Sequence, residues 1–360
     1  MVFRGSFICL IVCPVFAAMI SCNKYYEIDD FEEVEKIDAH CHVDVKTPYF
    51  LEQAKKDNFR VLTINTDAPL DEDIYEQREI AICQQKAFPG QISYLATFSM
   101  ANWESDSWLE ETIAYIEESK QKGALGVKVW KNIGMVEKDM DGSFIMIDDP
   151  RFDPIFDYLE ENNIPVCGHL GEPKNCWLPI DEMTVNNDKE YYTKHPQFHM
   201  YLNPEYPSYE EQVKARDRML EKHPELKFMG AHLASLEWSV DEVAKFFDRF
   251  PNATVDLSAR MCHLQLQAQE NRGKVRNFII KYQNRIIYGV DMVITRETNE
   301  NPGELTKNAH EAWFNDWLFL ATDKTLEVGE VDGVFKGLKL PRKVLEKIYR
   351  ENAEKMFPGI

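Results

Sequence analysis

The chain predicts a (β/α)8 barrel of the TIM type, an α/β fold, on three observations. Eight short apolar runs, each bounded by polar or turn residues, recur along the sequence. Segments of helical period lie between them, and that alternation implies parallel strands joined by right-handed crossovers. Several of the runs end in residues competent to bind a metal ion, as expected where a barrel gathers its active groups at strand C-termini. A doubly wound open sheet also satisfies the alternation, but no Gly-x-Gly-x-x-Gly follows a strand here.

The first 21 residues lie outside that fold. Arg4 precedes an apolar run from Phe7 to Ile20, too short for a comfortable membrane span and of the length of a signal-peptide core. Ile20-Ser21-Cys22 at its end resembles a bacterial lipobox, so Cys22 is the expected lipidated N-terminus. A plain cleaved signal with Cys22 incidental is the alternative. Residues 22–34 lack an apolar period and are expected to form a flexible tether. The protein is then secreted through the inner membrane and lipid-anchored in the bacterial cell envelope, touching the membrane through its anchor only.

Residues 35–360 are expected to fold as a single barrel. Its strands are read at 36–43, 60–65, 92–98, 125–130, 164–169, 226–232, 253–258 and 285–291. In the first, Asp38, His40 and His42 alternate and therefore share a face. Two imidazoles one residue apart can bind one Zn²⁺-like ion. Lys128 lies near the end of the fourth strand, with Trp130 on its face as a wall. His169 ends the fifth strand, His232 the sixth and Asp291 the eighth, so these six ionisable groups converge on one mouth. Helical stripes fall between the strands, for example Phe152, Ile155, Phe156 and Leu159 at i, i+3, i+4 and i+7. The stretch 170–205 is long for a βα loop and reads as a lid. Within it Trp177, His195 and His199 are candidates for substrate contact, with hydrogen-bonded loop histidines as the alternative. Arg260, just past the seventh strand, is placed to clamp a substrate carboxylate or to pair with a carboxylate of the mouth.

Composition is that of an ordinary globular protein: 360 residues, 44% hydrophobic and 28% charged. The formal charge of -20 argues against nucleic acid as a partner, because phosphate binding needs a basic face. Beyond the leader, Cys41, Cys83, Cys167, Cys176 and Cys262 are too scattered for a disulfide framework. The expected partner is a small-molecule substrate. The oligomeric state stays open, a homodimer included.

The ordered set of His-x-His, Lys, His, His and Asp resembles the amidohydrolase superfamily of metal-dependent barrels. Lys36-Ile37-Asp38-Ala39-His40-Cys41-His42 is similar to the opening of its amidohydrolase-2 branch. The C-terminal Asn352-Ala353-Glu354-Lys355-Met356-Phe357 is similar to the helix that closes such barrels. The resemblance implies one divalent ion, Zn²⁺ first and Mn²⁺ or two metals as alternatives, on His40, His42, His169 and Asp291. It implies His232 and Asp291 as catalytic residues, and Lys128 as a candidate bridge between two metals. The implied function is hydrolysis of an ester, lactone or amide bond by a metal-activated water. Decarboxylation of a small carboxylic acid on the same site is the alternative. A ligand-binding barrel without catalysis is the third reading, and the complete ligand set counts against it.

Overall fold

The computed structural model describes residues 24–68 and 73–360. The signal peptide and Cys22 fall outside the described residues. Nine strands form one parallel sheet: β1 (Lys36–Val43), β2 (Phe59–Ile64), β3 (Ile92–Ala96), β4 (Ala124–Val129), β5 (Val166–Gly168), β6 (Phe228–Gly230), β7 (Ala253–Asp256), β8 (Ile286–Ile287) and β9 (Met292–Ile294). Their order is β8-β7-β6-β5-β4-β3-β2-β1-β9. The expected eighth strand, 285–291, is reduced to β8, and β9 follows it after a break at Tyr288–Asp291. The Ala39 N–H donates to Tyr288 O (3.0 Å) and the Asp291 N–H to His40 O (2.8 Å), which brings the eighth strand back onto β1. The fold is the (β/α)8 barrel that the alternation predicts.

The break in the eighth strand contains a close backbone contact. A Cβ on Gly289 would lie 2.8 Å from the His40 Cβ, so only glycine lets the two backbones approach here. Two residues on, Asp291 takes a left-handed conformation (φ +66°). The barrel interior is filled by Ile37, Ala39, Leu62, Ile64, Leu95 and Cys167 among others, and the C-terminal Ala353, Met356 and Phe357 pack against the same cluster. Asn352 fixes that closing helix by donating to Gln283 O (2.8 Å) and Ile286 O (2.7 Å). Phe152, Ile155, Phe156 and Leu159 are all fully buried, as their spacing requires. Among the described residues no helix is long and apolar enough to cross a membrane.

Two expectations need correction. The flexible tether over 22–34 does not describe residues 24–34, which pack on the barrel. Tyr26 and Phe31 are buried, the Arg342 N–H donates to Lys24 O (3.0 Å), and Tyr26 Oη donates to Glu346 (2.9 Å). The buried Lys36 ammonium donates to Phe31 O and to Val34 O. Two aromatic anchors without a helical period are enough to dock so short a segment. The lid over 170–205 is also more ordered than a bare loop. It holds the helix Asn186–Lys194 and, with Met135, builds a small core of Cys176, Met183, Tyr192 and Met200.

Candidate metal centre and active site

β1 carries His40 and His42 to the mouth, where their Nε2 atoms lie 3.4 and 3.3 Å from one oxygen of Asp291. His232 Nε2 lies 3.9 Å from the other oxygen. Its ring is 5.0 Å from that of His40 and 4.3 Å from that of His169. Each histidine has a tautomer written into its surroundings. The Nδ1–H of His42 donates to Ile64 O (2.7 Å), and that of His232 to Ser258 O (2.9 Å). His40 Nδ1 meets Asp256 Oδ2 at 2.7 Å. A proton held on each Nδ1 leaves the Nε2 lone pairs directed at the Asp291 carboxylate.

Those lone pairs fit a divalent ion. His40, His232 and Asp291 offer ligand atoms all within 4.8 Å of one another, and His42 contacts the same carboxylate. His169 Nε2 is buried without a hydrogen-bond partner, with Glu172 the nearest carboxylate at 3.6 Å. An orphaned buried nitrogen costs about 1–3 kcal/mol unless something binds it. Imidazole nitrogens with one carboxylate are a borderline-metal donor set.

Electrostatics prepare the ligands. Burial and then the Lys131 and Lys128 cations push the His169 pKa well below its usual value. Burial and then His169 do the same to His232, and burial and then Lys128 lower His40. Neutral imidazoles are the form that binds metal. His42 runs the other way: burial would lower its pKa, but its contact with Asp291 raises it, so an ion there takes the place of a proton. Burial alone would raise Asp291, but His232, His40 and His42 hold its carboxyl well below the carboxylate range. Lys128 Nζ lies 3.3 Å from His40 Nε2 and 3.6 Å from Cys167 Sγ, so the fourth strand also reaches the cluster.

The backbone at this end is strained. His232, Leu233, Ala234 and Ser235 run consecutively at φ between +55° and +59°. Left-handed conformations cost L-residues roughly 1–2 kcal/mol each, and here they turn the chain sharply at the end of β6. The His232 N–H is held by Asp256 Oδ1 (2.7 Å).

A cavity of 420 Å³ opens over the cluster, lined by His42, Lys128, His169, His232 and Asp291, with Trp130, Tyr191 and Phe198 as aromatic walls. Arg260 also lines it. Its guanidinium donates to its neighbour's carbonyl, Ala259 O (2.9 Å), and its Nε is buried without a partner. The expected alternative, a salt bridge to a mouth carboxylate, is not formed among the described residues. Burial opposes its charge, while Asp188 and Glu237 favour it and raise its pKa.

Three expected contact residues do not line this cavity. His199 is buried and its Nε2–H donates to Leu178 O (2.7 Å), which ties down the lid. His195 packs tilted against Tyr191 (4.7 Å). Trp177 packs edge-on against Tyr209 (5.5 Å). The two histidines are spent inside the lid's own packing, and Trp177 on the helix that follows it. Sequence reasoning missed Asp256 and Ser258, which orient His40 and His232, although alternation from β7 puts both on the inner face. It also missed Lys131 and Glu172, a buried ion pair across the cavity floor, because neither stands in a spacing motif.

The Amidohydro_2 (Amidohydrolase) family model matches residues 37–359. No curated protein sequence gives a significant match to the chain. Among solved structures, the uncharacterized TIM-barrel protein Bb4693 from Bordetella bronchiseptica is similar, with a TM-score of 0.52 and 15% identity over 90% of this chain and 98% of that one. The 2,6-dihydroxybenzoate decarboxylase from Rhizobium is similar in fold, with a TM-score of 0.51 and 16% identity over 90% of this chain and 98% of that one.

Proposed function

We propose, because the chain belongs to the amidohydrolase family, that this enzyme hydrolyses an ester, lactone or amide bond in a small, carboxylate-bearing molecule. The observation that carries the reading is the Asp291 carboxylate, set among His40, His42 and His232 and facing a cavity that Arg260 enters with unspent donors. His40, His42, His169 and Asp291 would hold a divalent ion, Zn²⁺ by donor type and Mn²⁺ next, although the described donors of this cluster within 4.8 Å of one another are His40, His232 and Asp291. When bound, that ion supplies Lewis-acid charge for the carbonyl under attack.

The chain's own groups account for the proton. Asp291, kept ionised, accepts a proton from the attacking water as the new C–O bond forms. It returns that proton to the leaving oxygen or nitrogen as the old bond breaks. His232, its Nδ1–H fixed on Ser258 O, keeps one orientation beside the reacting carbon. Arg260 holds the substrate carboxylate, and Trp130 and Tyr191 exclude water from a planar body. Lys128 as a carboxylated bridge between two metals belongs to this proposal as its two-metal form.

A second reading is loss of CO₂ from a small planar acid. It is supported by the aromatic walls of the cavity and by the activity in the name of the Rhizobium barrel of similar fold. Turnover of lactones, esters and carboxylic acids in ¹⁸O-labelled water separates the two. Hydrolysis puts one solvent oxygen into the product and releases no CO₂. Decarboxylation releases CO₂ and leaves no label. Metal-dependent ligand binding with no turnover of any class would sink both. The lipobox-like Ile20-Ser21-Cys22 supports an envelope-anchored enzyme, its lipid two residues before the first described residue.

A further inference from the structure

We propose a second divalent-ion site, of the zinc type, at the opposite end of the barrel, on His223, Asp157 and Glu160. The three residues offer ligand atoms that lie within 4.8 Å of one another. Asp157 and Glu160 are three apart on the helix Asp153–Glu161 and so share a face. They stand in its last turns, where the helix dipole is negative and favours a cation. His223 caps the end of the helix Tyr209–Lys222, just before β6. The helix end and the strand entry both lie at the N-terminal face of the sheet, remote from the mouth.

His223 separates this cluster from ordinary surface acids. It is 3% exposed, and neither ring nitrogen has a hydrogen-bond partner. Its Nδ1 points at Asp157 Oδ1 (3.1 Å) and its Nε2 at Asp153 Oδ1 (3.6 Å). The Phe156 ring, 5.4 Å away, holds the imidazole in place. A carboxylate behind one nitrogen and two carboxylates before the other is the arrangement that orients a metal-binding histidine.

The remaining groups leave the position open. Lys222, the nearby cation, is spent on Asp153 at 2.9 and 3.0 Å. Glu160 Oε1 accepts the Glu225 N–H (2.6 Å), which leaves Oε2 for the ion. Asp157 is 61% exposed, so water can complete a tetrahedral shell. One imidazole among the donors selects zinc-like ions over Ca²⁺. The ion would clip the helix before β5 to the entry of β6, a structural role.

Equilibrium dialysis of the purified chain against Zn²⁺, with metal analysis, tests the site. The wild-type protein should bind one equivalent more than His223→Asn, and Zn²⁺ should raise its thermal midpoint further. Turnover should be equal in the two. Asp157→Asn, an exposed change that leaves packing intact, should lose the same equivalent and guards against misfolding of the first variant. Ca²⁺ should shift none of the three. Equal zinc stoichiometry in the wild type and Asp157→Asn would overturn the site and make His223 a counter-ion of the acids.

Discussion

Asp256→Asn offers a direct probe of the candidate metal centre, because the two carboxylate oxygens of Asp256 do different work. Oδ1 accepts from the His232 N–H (2.7 Å), the Ser258 hydroxyl (2.5 Å) and the Ser258 N–H (3.2 Å). Oδ2 meets only His40 Nδ1. An asparagine must keep its oxygen against three donors, so its NH₂ would face His40. His40 Nδ1, whose other neighbour is Ser258 Oγ at 3.0 Å, then faces a donor in place of the carboxylate, which shifts the ring proton toward Nε2, the atom directed at Asp291. A protonated Nε2 cannot ligate an ion. Loss of such an orienting partner weakens metal affinity by roughly 10–100-fold, equal to about 1.4–2.8 kcal/mol. Replacing a charge-assisted bond by a neutral one should also lower fold stability by about 1–1.5 kcal/mol. Chelator competition for Zn²⁺ reads the first effect, and thermal unfolding of the metal-free protein reads the second. A folded Asp256→Asn protein that keeps wild-type metal affinity would refute the tautomer argument.

Four further outcomes follow from the same geometry. His232→Asn should keep its metal and lose turnover by a factor of about 10² or more, whereas His40→Asn should release metal. Metal analysis beside kinetics separates them, and loss of an equivalent in His232→Asn would make His232 a ligand. Arg260→Ala should raise KM for a carboxylate substrate by about 10–100-fold through loss of a charge-assisted contact. An uncharged ester of the same acid should not respond. Phe31→Ala, removing a ring that is buried on the barrel, should destabilise the fold by about 3–5 kcal/mol in a denaturant titration, and no change would restore the tether. Cys22→Ser should move the protein from the membrane fraction to the soluble one, with the lipidated cysteine absent by mass spectrometry.

The barrel was legible because period-2 and period-3.6 patterns report burial directly, and eight alternations leave few topologies. The placement of His40, His42, His169, His232 and Asp291 at one mouth was legible for the same reason: each was read at the C-terminal end of a strand, and parallel strands end together. What escaped was decided by contacts distant in sequence. Asp256 acts on His40 across 216 positions, and no local pattern encodes that. The lid histidines were candidates for substrate contact by type, but His199 is a hydrogen-bonded loop histidine, the alternative reading, held by a backbone carbonyl inside its own segment. Tyr26 and Phe31 carry no period, so their docking depends on a surface that only the folded barrel supplies. The four left-handed residues from His232 to Ser235 contain no glycine to announce them.

The divided eighth strand makes the barrel's closure its weakest joint. β8 has two residues and β9 three, and the Tyr288–Asp291 break lies between them. Local opening begins where backbone hydrogen bonds are fewest. His40 and His42 stand on one side of that joint and Asp291 on the other, so an ion gripped by all three acts as a latch. At a hundredfold excess over its dissociation constant, a ligand bound only by the closed form suppresses opening by about 2.7 kcal/mol. Stripped of metal, the protein should breathe at this joint, and the amides of Ala39 and Asp291 should exchange their hydrogens up to about a hundredfold faster. The cation proposed for catalysis would then also govern how long the barrel stays shut, linking metal supply to the lifetime of the protein.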